Sequence, residues 1–107
     1  MITIKNLRNE KPTHEWQVRV DRTSVLGNPF KMRSENERNL VCDKYMKYFT
    51  SKILERDKAI LGELNRLIQI LLSYGKIELF CWCVPKRCHA ETIKKLLEVG
   101  IDEKNRL

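Results

Sequence analysis

The stretch Ile77-Glu78-Leu79-Phe80-Cys81-Trp82-Cys83-Val84 limits what this chain can become more than any other feature. Only Glu78 interrupts a run of apolar, strand-favouring types, so no face is left over for solvent. Pro85 then stops the run, and a segment this short reads as a strand rather than a helix. A strand with two apolar faces must be covered on both sides, as in the middle of an α/β sheet. The rest of the chain therefore has to supply flanking strands and covering helices.

Ile2-Thr3-Ile4-Lys5-Asn6-Leu7 and Trp16-Gln17-Val18-Arg19-Val20 alternate apolar and polar residues, the pattern of short half-buried strands. The link from Arg8 to Glu15 between them is most cheaply read as a hairpin connection. Ser34-Glu35-Asn36-Glu37 has the form of a capping box and predicts a helix start. Val41, Tyr45, Tyr48 or Phe49 and Ile53 follow at helical spacing, taking that helix to about Lys52. Ile60, Leu61, Leu64, Leu67, Ile68, Leu71 and Leu72 predict a second helix ending near Gly75, with Glu55-Arg56-Asp57-Lys58 either a corner between the two or an exposed turn of one long helix. Ile93, Leu96 and Leu97, with Lys94 and Lys95 opposite, predict a last helix stopped near Gly100. The expected fold is one α/β domain over residues 1–107, two or three layers thick, with a short mixed sheet. Its parts are an N-terminal hairpin, a helical crossover, a central parallel strand and a C-terminal helix.

A chain of 107 residues that is 42% hydrophobic and 33% charged suits a packed domain and argues against disorder or low complexity. No apolar run is long enough to span a bilayer, and Met1 leads into charged sequence rather than an apolar signal core, so a cytoplasmic protein is expected. The net charge of +7 makes anionic partners plausible. Residues 1–33 carry seven basic against three acidic side chains, while the middle of the chain is nearly balanced. No zinc-finger, basic-zipper or RNP pattern accompanies the excess, so nucleic acid could be met only through an unspecific patch. Four cysteines in such a chain are expected as free thiols.

Residues 21–33 form a long stretch without period, built around the turn chemistry of Gly27-Asn28-Pro29, with Gly27 suited to positive φ. If the Val18 and Phe80 strands are parallel neighbours, they end at one sheet edge, and this loop must face the segment Val84 to His89. Carboxyl edges of parallel sheets bind ligands, because loops and helix N-termini there present unpaired N–H groups. Arg22, Lys86 and Arg87 would bring charge, with Lys31 nearby. Thr23, Ser24 and Asn28 would bring hydrogen bonds, and Gly27 the close turn. Cys88, His89 and Asp21 are the candidates for chemistry. Cys88, at a helix start beside Lys86, Arg87 and His89, has surroundings that lower a thiol pKa. Such a lining suits phosphate, carboxylate or a nucleotide.

Two segments also carry a resemblance. Asp21-Arg22-Thr23-Ser24-Val25-Leu26-Gly27-Asn28-Pro29-Phe30, then Cys42 and Tyr45, then Cys81-Trp82-Cys83-Val84-Pro85-Lys86-Arg87-Cys88-His89, resemble an uncharacterised bacterial and bacteriophage domain-of-unknown-function family. Its pattern is close to D-R-x-S-x-L-G-N-P-F, C-x-x-Y and C-x-C-x-P-x-x-C-H, and the match runs over roughly residues 18–98. The resemblance implies a small α/β fold and a phage origin, and it supplies no activity. A weaker similarity joins the Cys88-His89 helix start to another uncharacterised family with C-x-E and C-H-R patterns, although Ala90 stands here where that family has arginine.

Competing readings of the same residues constrain the choice. Cys81, Cys83, Cys88 and His89 could ligate zinc, but C-x-C-x4-C-H lacks the C-x2-C knuckle, and small thiols on a buried strand also pack as hydrophobes. Cys81 and Arg87 stand at the C-x5-R spacing of a phosphatase loop, yet the residues between them continue a strand instead of turning their N–H groups inward. No metal is assigned and no cofactor can be named. The function expected is binding of an anionic small molecule, most plausibly a nucleotide. The alternatives are a phage protein acting on a host protein or nucleic acid through its basic surface, and a Cys-dependent enzyme on a nucleotide-like substrate.

Overall fold

The computed structural model describes residues 1–105. Three strands, β1 (Ile2–Asn6), β2 (Gln17–Arg19) and β3 (Ile77–Cys81), form one sheet in the order β1-β3-β2. Three helices complete the fold: α1 (Arg38–Leu54), preceded by a single 3₁₀ turn over Glu35–Glu37, α2 (Lys58–Tyr74) and α3 (Ala90–Asn105). The α/β class and the central position of β3 are those expected from its apolar run.

The sheet is wholly parallel, not mixed. β1 pairs with β3 from Ile2 opposite Ile77 to Asn6 opposite Cys81, and β2 pairs with β3 from Gln17 opposite Glu78 to Arg19 opposite Phe80. The predicted N-terminal hairpin is thus replaced by two strands on opposite sides of β3. The link over residues 7–16 makes this possible: an extended chain of that length reaches roughly 30 Å, enough to return across the sheet end and start again in the same direction. No two-residue turn chemistry holds the two strands together, and β3 offers a full ladder on each edge.

Ile77, Leu79 and Cys81 point from β3 into one apolar cluster with Ile60, Leu64, Leu67 and Leu71 of α2 and Ile93 and Leu97 of α3. Phe80 is fully buried on the other face, where the register sets it between Lys5 and Arg19, whose stems can cover it. Two helix boundaries differ from the sequence expectation. Ser34 is extended and caps nothing with its side chain, while Glu37 Oε1 accepts from the Arg33 N–H at 2.8 Å, so the reach-back lands one residue early and a 3₁₀ turn precedes α1. The corner 55–57 separates α1 from α2, and Asp57 caps α2 by accepting from the Ile60 N–H at 3.0 Å. Gly100 does not stop α3. A Cβ there would lie 3.0 Å from Ile68 Cδ1, so this glycine lets α3 approach α2.

Candidate functional site at the carboxyl edge of the sheet

Beyond β2, Val20 still donates to the Phe80 carbonyl at 2.9 Å, and the chain then turns sharply. Asp21 organises that turn. Its buried carboxylate accepts from Arg19 Nη2 at 2.5 Å, Thr23 Oγ1 at 2.6 Å and Trp82 Nε1 at 2.9 Å. Burial works against the charge, but these donors outweigh it and hold the Asp21 carboxyl well below the ordinary range. Gly27 packs directly on this turn, where an added Cβ would stand 2.4 Å from the Asp21 carbonyl oxygen. Close approach, not the positive φ expected from sequence, is what demands glycine, since Gly75 is the one glycine with positive φ.

On the other side, β3 ends at Cys81, three residues short of the predicted end at Val84. Asn6, the last residue of β1, takes the following turn in hand: its Nδ2 donates to the Val84 carbonyl at 2.6 Å. The turn delivers Cys88 and His89 to the start of α3. There the Cys88 N–H donates to Glu91 Oε2 at 3.0 Å, the reach-back half of a capping box. The Cys88 N–H is thus committed within the chain, and of the donors expected at this helix start it is one that a ligand does not meet.

The two loops meet. His89 Nε2 lies 2.5 Å from the Val20 carbonyl oxygen, and Trp82 reaches Asp21. Between them opens a cavity of about 400 Å³ lined by Asp21, Arg22, Asn28, Phe30 and Met32 from one loop and by Trp82, Cys83, Arg87, Cys88 and His89 from the other. Arg38, Val41 and Cys42 of α1 close it.

Not every residue expected at this site is in it. Thr23 and Ser24 line a separate groove with Arg19 and Lys58, and their hydroxyls are committed to the turn, Thr23 to Asp21 and Ser24 to the Leu26 N–H. Gly27 lies in the turn rather than in the lining. Lys86 points away and pairs with Glu35 at 3.3 Å. Arg38, which no motif singles out, does line the cavity. It grips Glu35 through two bonds of 2.9 Å and donates to the Arg87 carbonyl at 2.9 Å. Its place could have been inferred from the first turn of α1, which follows directly on the loop and so begins at the same sheet edge.

The three arginines differ electrostatically. Arg38 is paired with Glu35 and Arg87 with Asp43, at 2.9 Å in each case. Arg22 donates to the carbonyls of Asn28 at 3.1 Å and Phe30 at 3.4 Å, and among the described residues it has no carboxylate partner. Its charge stays available to the cavity.

His89 is a neutral imidazole of fixed tautomer. A carbonyl can only accept, so Nε2 carries the proton, and Nδ1 turns its lone pair toward Cys88 Sγ at 3.3 Å. Burial pushes its pKa down. The thiols next to it do not follow the sequence expectation. Cys88 is buried, and its pKa is raised by neighbouring Cys81, by Cys83 and by burial, so it keeps its proton. Cys83 is lowered to about 5, the nearby Cys88 thiol and then the Arg38 guanidinium favouring its charged form against the opposing effect of burial. Cys81 is shifted down as well, to about 6, again with the Cys88 thiol as the first cause and burial opposing it. All four cysteines are free. Among the described residues no group of three or more His, Cys, Asp or Glu side chains is disposed to hold a metal ion.

The model of a domain of unknown function, DUF4326, matches residues 4–99, nearly the whole chain and both converging loops. The chain belongs to that family. No curated protein and no solved structure is similar enough to match. The fold and cavity of this DUF4326 domain are thus read from its own residues. No helix among those described is long and apolar enough to cross a membrane.

Proposed function

We propose that the protein binds an anionic small molecule, most plausibly a nucleotide, in the cavity at the carboxyl edge of its sheet. The observation that carries the reading is Arg22, a cation at the cavity wall held by two carbonyls and neutralised by no carboxylate among the described residues. A cation fixed in this way is pre-oriented for a phosphate or carboxylate at low entropic cost. Trp82, Phe30 and Met32 add apolar and aromatic surface against which a planar ring can lie. The volume of about 400 Å³ suits a mononucleotide-sized ligand. The same proposal puts the protein in the cytoplasm, since four unbridged thiols belong to a reducing compartment.

Thermal unfolding in the presence of nucleoside mono- and diphosphates tests it. A saturable rise in Tm that grows with the logarithm of ligand concentration and depends only weakly on salt supports the pocket. Absence of any shift with phosphate-bearing ligands, together with duplex binding that collapses steeply as salt rises, would overturn it in favour of a basic nucleic-acid surface.

A further inference from the structure

The sheet has two margins, and they are not equally closed. β2 is three residues long, and the Gln17 N–H on its outer side is already bonded to the His14 carbonyl at 3.0 Å. β1 is longer, and its pairing has a fixed parity. Ile77 donates to the Met1 carbonyl at 2.9 Å and Leu7 to the Cys81 carbonyl at 2.8 Å, so the odd-numbered residues of this segment turn their backbone groups toward β3. Ile2, Ile4 and Asn6 therefore turn theirs outward. Among the described residues nothing bonds the N–H or carbonyl of Ile2 or Ile4, or the Asn6 N–H. The Asn6 carbonyl is taken, by the Asn9 N–H at 3.1 Å and the Glu10 N–H at 3.4 Å. No proline blunts this edge, and Lys5, its one charge, is drawn back onto Glu10 at 3.7 Å.

We propose that β1 pairs with β1 of a second copy of the chain, antiparallel about a twofold axis at Ile4, so that the two sheets become one. An antiparallel pair exchanges bonds at every second residue, the same period at which β1 offers them. Centred on Ile4, the register lets Ile4 exchange both of its bonds with the partner's Ile4, and lets each Asn6 N–H meet the opposite Ile2 carbonyl. Side chains agree with this register. Ile4 meets the partner's Ile4 on the helix-covered face, and Lys5 stands opposite the partner's Thr3 instead of another lysine.

The helices on that face fit the same axis. α3 packs over β1 and β3, and strands lie about 4.8 Å apart, so two such helices stand roughly 10 Å from each other across the seam, the distance at which helices pack. Lys94 and Glu98 share the flank of α3 beside Met1 and Ile2. A twofold axis reverses their order in the second copy, which sets Lys94 against the partner's Glu98 and Glu98 against the partner's Lys94. A second copy thus supplies the complementary charges by symmetry alone. The dimer neither needs the proposed nucleotide nor blocks its cavity, whose lining takes no residue from β1 or α3.

Sedimentation equilibrium and amide hydrogen exchange on the full chain test the pairing. The mass should rise from 12.8 kDa toward twice that value as concentration increases from about 1 µM to about 1 mM. Over the same range exchange at the Ile4 and Asn6 amides should slow by roughly tenfold or more. The Ile2 amide, facing an Asn6 carbonyl already in use, should gain no such protection. Ile4→Pro removes an N–H that the β3 ladder does not use, so the variant should stay folded and sediment as a monomer. Should it fail to fold, Lys94→Glu takes its place: it should weaken association by roughly tenfold, and adding Glu98→Lys should restore it. A monomer over the whole range, an Ile4 amide whose exchange ignores concentration, or a dimer unmoved by both Ile4→Pro and Lys94→Glu overturns the proposal.

Discussion

The imidazole of His89 donates from Nε2 to the carbonyl oxygen of Val20 at 2.5 Å, joining the end of β2 to the start of α3. This bond fixes the histidine tautomer and holds the two cavity loops face to face. It also makes the histidine's protonation state part of the fold. The folded pKa is depressed by burial, so the unfolded chain binds the proton more readily, and the contribution of neutral His89 is present above its unfolded pKa and lost as pH falls below it.

The midpoint of urea unfolding should therefore drop as pH is lowered from about 8 to 5, with the steepest part below about 6.5. His89→Gln, whose Nε2 can still reach the Val20 carbonyl, should flatten that segment. An unchanged pH profile in the variant would show that His89 does not carry it.

Asp21 has the same sign from a different cause. Its carboxyl is held down by Arg19, Thr23 and Trp82 against the opposing effect of burial, so it stabilises the fold above the unfolded carboxyl pKa and loses that contribution as acid protonates it. Asp21→Asn should cost about 2–4 kcal/mol near neutral pH, since three donors lose a charged acceptor. Denaturant titration should show the gap to wild type closing toward low pH.

Arg22 and Lys86 separate binding charge from surface charge. Arg22→Ala should weaken nucleotide affinity by roughly tenfold or more with little change in Tm, because its bonds go to exposed loop carbonyls. Lys86→Ala should leave affinity within about twofold, since Lys86 lies outside the cavity beside Glu35. Isothermal titration of both variants checks the contrast, and equal losses would contradict it.

Gly27 and Gly62 make a pair of opposite sign. Gly27→Ala forces a Cβ to 2.4 Å from the Asp21 carbonyl oxygen, a backbone atom that cannot swing aside, and should destabilise by roughly 2–4 kcal/mol. Gly62 lies exposed inside α2 with nothing within 4 Å of an added Cβ, so Gly62→Ala should stabilise by about 0.5–1 kcal/mol. Thermal unfolding measures both.

What sequence alone determined is local or follows from burial. The apolar run around Phe80 required a central strand, the spacing of Leu64, Leu67 and Leu71 required α2, and parallel pairing of β2 with β3 required the Arg22 and His89 loops to share an edge. These are legible because periodicity and connection rules act on neighbours along the chain. The pairing partner of β1 was not legible, since an alternating strand fits a hairpin or a parallel edge equally well and only β3 decides between them. Nor could sequence say that Thr23, Ser24 and Lys86 turn away while Arg38 turns in, because side-chain direction depends on what each loop packs against. The reversal between Cys88 and Cys83 has the same origin. A thiol's charge is set by the donors and anions within a few ångströms of its sulfur, and three of those here, Arg38, Cys81 and His89, come from a helix, a strand and a helix start that only the folded chain brings together.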